Sequence, residues 1–316
     1  MSTPAFAATL FVPDDYQTIQ EAVDASSPGD VIKVGPGTFA GAYTEKQLTI
    51  VGSNGTVIDE ANSYPQWPGE DAFTINGPDA SGTEIRGMAI VGVGVQYGVY
   101  AFDADDVKVV NNVFDGLQFG IEGYGINDAQ VVNNVFEGVY WGVLLLYSDD
   151  VKVVNNAYID NFQSIRNSGG SRWIIEKNII DGSVPARVRN GIVVVAPAND
   201  NEIRKNWIRH VGNRTSGLQT YAGVLLFELG FAELGGNTIE KNYVEISVPD
   251  LQDNDVSAGV SLVSFPFPGN TDGIVGNMIL KNKLCGTGTL VHANPEELLA
   301  SNLIEKNKDK CDHNDY

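Results

Sequence analysis

One repeat constrains the fold of this chain more than any other feature. Four segments are nearly identical, namely VVNNVFDG at 109–116, VVNNVFEG at 131–138, VVNNAYID at 153–160 and IEKNIIDG at 175–182. Their second asparagines, Asn112, Asn134, Asn156 and Asn178, follow one another at 22-residue intervals. A fixed period of about 20–50 residues indicates stacked units that share one continuous core.

Looser copies extend the repeat in both directions. The asparagine column comprises residues Asn112, Asn134, Asn156, Asn178, Asn206, Asn242, Asn282 and Asn307. Apolar residues stand three positions before and two positions after it, as Val109 and Phe114 do around Asn112. Buried polar side chains need hydrogen-bond partners. The pattern therefore predicts an asparagine ladder with a structural role between two inward-facing apolar columns.

A second β-rich segment follows most copies and usually begins with glycine, as at residues 98–102, 120–124 and 142–146. A leucine-rich repeat has a similar apolar spacing but needs helix or 3₁₀ turn in the rest of each unit. Here the remainder has no helical periodicity. The sequence thus favours an all-β, single-stranded parallel β-helix.

A capping helix is predicted at residues 14–25, with Asp14 or Asp15 as its N-cap and Ile19, Ala22 and Val23 on its apolar face. Residues 1–12 are predicted to be an N-terminal tail that resembles a trimmed export signal. Residues 13–316 are predicted to form one β-helix domain, which suits a repeat array.

The segments YQTIQEAV at 16–23, PGDVIKV at 28–34, PGTF at 36–39 and GTVID at 55–59 resemble the start of many proteins of the pectin lyase-like superfamily. The later rungs resemble the NosD-like carbohydrate-binding and sugar-hydrolase repeats. This resemblance covers most of residues 10–307. It implies a right-handed parallel β-helix, but the superfamily includes lyases, hydrolases, esterases, epimerases and non-enzymes.

Catalytic signatures of several superfamily members are missing. The three histidines, His210, His292 and His313, do not occur in the Gly-His-Gly context of polygalacturonases. The Asp-Pro-His-Asp run of mannuronan epimerases and the Gly-x-x-Asp-Phe-Ile-Phe-Gly run of pectin methylesterases are also missing. The resemblance therefore supplies a fold without assigning an activity.

The net charge of −20 at pH 7 argues against nucleic acid and anionic membranes as partners. Basic residues nevertheless cluster between residues 166 and 214, where nine Lys and Arg stand against four acids. We expect a basic groove for an acidic polysaccharide, since arginine pairs bidentately with carboxylates. The predicted catalytic residues are Arg187 and Arg189 for a sugar carboxylate, His210 or Lys205 as base and Tyr221 as acid. Ordinary surface ion pairing is the alternative explanation for the cluster.

Connections lengthen after residue 180 on both sides of the glycine-led strands, which predicts a cleft above residues 191–195, 223–227 and 259–263. The predicted substrate-binding residues are Arg166, Arg214, Trp141, Tyr124, Phe227 and Glu228.

Tyr97, Phe119 and Trp141 recur one repeat apart, either as a core stack or as faces for sugar rings. If Leu144, Leu225 and their neighbours point outward, they predict a partner surface such as a homotrimer interface.

Asp106, Asp128 and Asp150 occupy the same turn on successive repeats, which predicts either solvated turn residues or a Ca²⁺ site. No other cofactor is expected.

Cys285 and Cys311 either form a terminal disulfide or remain two free thiols. No apolar run is long enough to span a membrane.

The sequence leaves two functions open. The first is a secreted, extracellular or cell-surface protein that binds an acidic polysaccharide and modifies it as a lyase or epimerase. The second is a non-catalytic β-helix that acts as an oligomeric interaction module.

Overall fold

The computed structural model describes residues 7–62, 70–182, 190–210, 220–228, 232–246, 256–264, 273–286, 289–294 and 296–309. Within these residues the backbone forms a solenoid of three long sheets, and all strand pairs along each sheet are parallel. Each complete turn of the solenoid, called a rung below, contributes one strand to each sheet, and the terminal turns contribute fewer. This arrangement confirms the predicted parallel β-helix.

The strands of the three sheets fall in a regular order along the chain. The first sheet contains Thr9–Val12, Val31–Val34, Thr49–Gly52, Glu84–Arg86, Lys108–Val110, Gln130–Val132, Lys152–Val154, Ile174–Glu176, Glu202–Arg204, Thr238–Glu240, Met278–Leu280 and Leu303–Glu305. The second sheet contains Gly37–Ala40, Thr56–Glu60, Ala89–Gly94, Val113–Asp115, Val135–Glu137, Ala157–Ile159, Ile179–Gly182, Trp207–His210, Tyr243–Ile246, Lys283–Gly286 and Lys308–Asp309. The third sheet contains Ala42–Thr44, Asp71–Asn76, Tyr97–Phe102, Phe119–Tyr124, Trp141–Leu146, Gln163–Ser168, Asn190–Val195, Thr220–Glu228, Val256–Ser264 and Thr289–Asn294.

A short pair, Leu234–Gly235 with Ile274–Val275, and two 3₁₀ segments, Pro78–Ala80 and Glu296–Leu299, complete the described elements.

The N-terminal helix spans Ile19–Ala25, which is shorter than predicted. Its N-cap is Thr18 and not Asp14 or Asp15, because Thr18 and Glu21 form a capping box. The strand Thr9–Val12 pairs with Val31–Val34 in the first sheet, so the predicted tail of residues 1–12 is too long.

The asparagine ladder lies inside the solenoid as predicted. Asn134 Nδ2 donates hydrogen bonds to Val109 O at 2.8 Å and to Asn156 Oδ1 at 3.1 Å. The same Asn156 oxygen accepts the Asn134 backbone N–H at 2.8 Å. Each asparagine thus links its turn to the next rung, which satisfies polar groups that the core would otherwise leave unpaired.

A second ladder was not predicted. It precedes the strands of the first sheet and contains Asn201, Asn237, Asn277 and Asn302. Its repeat is hard to recognise in the sequence because the intervals between its members range from 25 to 40 residues.

Glycines at the second position of several third-sheet strands, such as Gly120, are required by the interior aromatic stack. Phe114, Phe136 and Tyr158 stack at centroid distances of 4.7 and 4.8 Å. A Cβ on Gly120 would lie 2.7 Å from the Phe136 ring and 2.5 Å from the Gly142 carbonyl oxygen. The glycine therefore allows the third sheet to approach the aromatic core.

Candidate functional site

The outer face of the third sheet carries the candidate site. Strand register places Thr74, Tyr100, Glu122, Leu144 and Arg166 in one outward column on successive rungs. Adjacent strands are about 4.8 Å apart. The aromatic, acidic and basic side chains of Tyr100, Glu122 and Arg166 are therefore brought to one surface from positions up to 66 residues apart.

Glu122 is the most perturbed carboxyl on this face. Its side chain is half-buried, and its Oε2 atom is buried with no hydrogen-bond partner among the described residues. Burial, followed by the negative charge of Asp71, raises the pKa of Glu122 to about 7. A carboxyl in this state holds its proton near neutral pH and can donate it.

Asp71 lies on the strand Asp71–Asn76, two strands from Glu122, and is 7% exposed. The Thr74 hydroxyl donates to Asp71 Oδ2 at 3.0 Å, and Asn62 Nδ2 donates to the Thr74 oxygen at 3.0 Å. Burial raises the pKa of Asp71 despite the hydrogen bond from Thr74. The negative charge of Asp71 also contributes to the raised pKa of Glu122, so ionisation of either carboxyl disfavours ionisation of the other.

Two tyrosines lie between these carboxyls on the intervening strand. Tyr97 pairs in register with Asp71, and Tyr100 pairs with Glu122. Burial, followed by the charges of Glu122 and Asp71, raises the pKa of both phenols. Both tyrosines therefore stay neutral and can donate hydrogen bonds at this surface.

The column of Tyr97, Phe119 and Trp141 lies outside the interior core, which answers the question that the sequence left open. Tyr97 and Phe119 stack at 4.5 Å with planes 3° apart, and Phe119 and Trp141 lie at 4.7 Å. Trp141 Nε1 also donates to Gln163 Oε1 at 3.2 Å. The faces of these rings pack against one another, so a ligand above the sheet contacts mainly the ring edges.

Arg166 points outward as predicted, and its Nε donates to Ser168 Oγ at 3.0 Å. It is the only Lys or Arg on the described strands of the third sheet. The predicted basic groove is therefore not found on the described part of this sheet.

The other described members of the basic cluster form ion pairs outside the third sheet. Lys205 lies in a turn between the first and second sheets, where its Nζ is 2.8 Å from Glu176 Oε1. Arg204 also pairs with Glu176, and Arg209 forms two hydrogen bonds with Asp181 at 3.0 Å. This placement separates Lys205 from the third sheet, so Lys205 is not positioned as a base for this site.

The remaining predicted catalytic residues do not assemble here. Arg187, Arg189 and Arg214 lie outside the described residues. His210 ends a second-sheet strand, and its side chain is not among those described. Tyr221 is 1% exposed and packs in the interior core, where its hydroxyl is not presented on the outer face.

The third-sheet strands predicted as a cleft floor carry a separate apolar cluster. Val193, Val195, Ala222, Leu225 and Val263 are buried in it, and Phe227 packs against it. These outward side chains are already covered within one chain. The connections predicted as cleft walls lie largely outside the described residues.

Glu228, at the end of the strand Thr220–Glu228, is fully buried. It accepts a hydrogen bond from Ser264 Oγ at 2.6 Å. Tyr124, by contrast, is 44% exposed. Of the predicted substrate-binding residues, Tyr124, Trp141 and Arg166 therefore lie on the part of the sheet that carries Glu122.

Asp106, Asp128 and Asp150 line a surface cavity of about 420 Å³ together with Arg172. Arg172 donates to Asp150 at 2.6 and 2.8 Å, and its hydrogen bond lowers the pKa of Asp150. Among the described residues, no group of three or more His, Cys, Asp or Glu side chains is placed to hold a metal. The Ca²⁺ site stays a prediction.

Cys285 is buried, with its Sγ 3.8 Å from Tyr243 Oη, and Cys311 lies outside the described residues. No helix in the described part of the chain has the length and apolar character of a membrane span.

Neither Glu122 nor Asp71 was predicted from the sequence as a site residue. The available signal was a single acid at position 122 between Tyr100 and Leu144, in a column with no other acid from Thr74 to Arg166. Its significance depends on burial and on the charge of Asp71, which the repeat alignment does not reveal.

Comparisons with known proteins agree with the architecture. The catalytic domain of a GH87 alpha-1,3-glucanase in complex with tetrasaccharides superposes with a TM-score of 0.54 at 11% identity, covering 98% of this chain and 70% of that chain. A mannuronic acid specific polysaccharide family 6 lyase from human gut microbiota has a TM-score of 0.52 at 14% identity, covering 93% and 85%. The Streptococcus pneumoniae surface protein and adhesin PfbA has a TM-score of 0.54 at 13% identity, covering 93% and 95%.

These likenesses show the fold alone, and no curated protein sequence matches the chain. The family described as "Right handed beta helix region" matches residues 73–264. This match spans more than half of the sequence, and the chain therefore belongs to the right-handed β-helix family.

Proposed function

We propose that this protein binds a polysaccharide along the outer face of the third sheet and cleaves it with Glu122 as the proton donor. The observation that carries the proposal is the buried, unpartnered Oε2 of Glu122, on a strand two away from that of a second buried carboxyl, Asp71. Glycoside hydrolysis commonly uses one protonated and one ionised carboxyl. The family 6 lyase and the alpha-1,3-glucanase, which share this fold, provide supporting analogies.

In this proposal the Glu122 proton passes to the glycosidic oxygen as the bond between that oxygen and the anomeric carbon breaks. The Asp71 carboxylate stabilises the positive charge that develops on the sugar and assists the attacking water. Tyr97 and Tyr100 hold the substrate by donating hydrogen bonds from their neutral phenols. The protein is proposed to act outside the cell, where polysaccharides are accessible.

An acidic polysaccharide is the narrower substrate class that we propose. Arg166 lies two strands from Glu122 in the same outward column, so its guanidinium can pair with a uronate carboxylate. This residue also favours a second candidate reaction, β-elimination or C5-epimerisation. Arg166 would neutralise the carboxylate, and ionised Glu122 would take the C5 proton. In elimination the C5 electron pair forms the C4–C5 double bond as the C4–O bond breaks, and water protonates the leaving oxygen. In epimerisation water returns a proton to the opposite face of C5.

The experiment is incubation with neutral glucans and uronans, followed by assays for new reducing ends and for ultraviolet absorbance from new double bonds. Hydrolysis predicts reducing ends without absorbance, whereas elimination predicts both. Epimerisation predicts neither, and is detected by a changed uronate composition in the proton NMR spectrum of the polymer. Glu122→Gln should abolish either signal. Glu137→Gln, which removes an exposed carboxylate from the second sheet, should leave it unchanged.

A non-catalytic adhesin is the remaining alternative, and the likeness to PfbA is the observation that favours it. A homotrimer remains a proposal under that alternative. Saturable polysaccharide binding without products from any substrate would support the adhesin and contradict the proposed enzyme.

A further inference from the structure

Tyr147 has a backbone conformation that does not suit its side chain. Its φ is +50°, and the equivalent residues on neighbouring rungs are Asp103 at +51°, Gly125 at +63° and Gly169 at +90°. Glycine and aspartate adopt this left-handed region more readily than a bulky aromatic residue does. Such strain is concentrated at binding and catalytic sites.

The Tyr147 ring is placed at the surface and not in a core. Tyr147 is 56% exposed, and its ring centroid lies 5.4 Å from that of the Tyr124 ring, with the two ring planes inclined at 68°. Tyr124 in turn stacks on Phe102 at 5.6 Å. Because Tyr147 is inclined to this stack, the two exposed tyrosines form an aromatic corner that can receive a planar apolar surface.

The next rung provides space for the Tyr147 ring. A Cβ on Gly169 would lie 2.9 Å from Tyr147 Cδ1, which is too close without movement. Glycine at this position therefore allows the ring to lie over the following turn. The Tyr147 ring therefore lies between Tyr124 on the preceding rung and Gly169 on the following rung.

This corner lies close to the proposed proton donor. Glu122 and Tyr124 are alternate residues of one strand, so their Cα atoms are about 6–7 Å apart. Leu146, which precedes Tyr147, pairs with Tyr124 on the next rung. A saccharide with one sugar unit near Glu122 would therefore place a neighbouring unit near the corner.

We propose that Tyr147 and Tyr124 form a binding subsite for a pyranose ring, adjacent to Glu122 at the carboxyl ends of the third-sheet strands. The apolar C–H face of the sugar packs on the Tyr147 ring, and its hydroxyls remain hydrated at the open side. This inference rests on the proposed polysaccharide function and adds the residue that positions the chain beside the proton donor.

The test compares Tyr147→Gly with wild type by calorimetric titration of four hexasaccharides, made of mannuronate, galacturonate, β-1,4-linked glucose and α-1,3-linked glucose. For each hexasaccharide bound by wild type, we expect at least tenfold weaker binding by the variant. The thermal midpoint should be unchanged or higher, because glycine relieves the strain at φ +50°. Tyr140→Ala removes an exposed tyrosine outside the corner and should leave binding unchanged.

Binding by Tyr147→Gly within twofold of wild type would overturn the subsite but leave the role of Glu122 intact. A lack of binding by wild type to all four hexasaccharides would overturn both proposals. Self-association of wild type that Tyr147→Gly abolishes, without an effect on sugar binding, would assign the corner to a second copy and also overturn the subsite.

Discussion

Glu122 and Asp71 lie on strands separated by a single intervening strand, and the charge of Asp71 adds to burial in raising the pKa of Glu122 to about 7. Glu122 therefore holds its proton to a higher pH than an ordinary glutamate does. This difference comes from the environment, since both residues are ordinary acids in the unfolded chain. It gives the outer face of the third sheet a carboxyl that can donate a proton near neutral pH.

The raised pKa of Glu122 makes stability depend on pH. Below about pH 4.5 the carboxyl is protonated in both states, and its contribution is fully retained. As pH rises to about 7, the unfolded state loses this proton first, so the free energy of unfolding decreases. Glu122→Gln should therefore gain stability relative to wild type over this range, by roughly 1 kcal/mol after allowance for solvent screening.

Urea denaturation at pH 4, 6 and 8 provides the measurement, and Glu137→Gln is the matched control for removing an exposed acid. A difference between Glu122→Gln and wild type that stays constant with pH would contradict the raised pKa.

Arg166→Gln should lower kcat/KM on uronans by roughly tenfold to a hundredfold, because a charge-assisted hydrogen bond contributes about 1.5–3 kcal/mol. Activity on neutral glucans should change little. Lys152→Gln removes an exposed cation from the first sheet and serves as the control. Equal losses on charged and neutral substrates would exclude Arg166 as the carboxylate-binding residue.

The asparagine ladder offers a matched pair of neighbouring positions. Asn156→Gly leaves buried groups of two rungs unpaired and should destabilise the protein by about 2–4 kcal/mol. Asn155→Gly makes the same chemical change at an exposed residue with φ +57° and should alter stability by less than about 0.5 kcal/mol. Chemical denaturation of both variants measures the change in the free energy of unfolding, and equal losses would contradict a structural role for the ladder.

A second pair tests the approach of Gly120 to the interior aromatic stack. Gly120→Ala would place its Cβ against Phe136 and a backbone carbonyl, at a cost of about 3 kcal/mol. Gly116→Ala meets open space but has φ +66°, so only the left-handed strain of about 1–2 kcal/mol should appear. The measurement is the thermal midpoint of each variant relative to that of wild type. A smaller loss for Gly120→Ala would show that the sheet can move away from the ring.

The repeat predicted the fold well because each rung uses the same interactions. The position of Asn156 in the ladder and the inward direction of Phe136 both follow from a 22-residue period. The start of the helix was less predictable, since Thr18 competes with Asp14 and Asp15 as a cap and only Thr18 forms the capping box with Glu21.

The candidate site was harder to predict because charge along the sequence does not specify which sheet a residue joins. The basic residues looked like one groove, yet Lys205 and Arg209 pair with acids outside the third sheet. Glu122 and Asp71 are 51 positions apart and belong to different rungs. Their relationship depends on strand register and burial, which require the folded chain.

The most direct test of the proposed acid is the titration of the Glu122 carboxyl by carbon-detected NMR in wild type and in Asp71→Asn. We predict a midpoint near pH 7 in wild type, and a lower midpoint in the variant because the neighbouring negative charge is removed. A wild-type midpoint near the ordinary glutamate value of about 4.3 would contradict the account, since Glu122 would then be ionised at neutral pH.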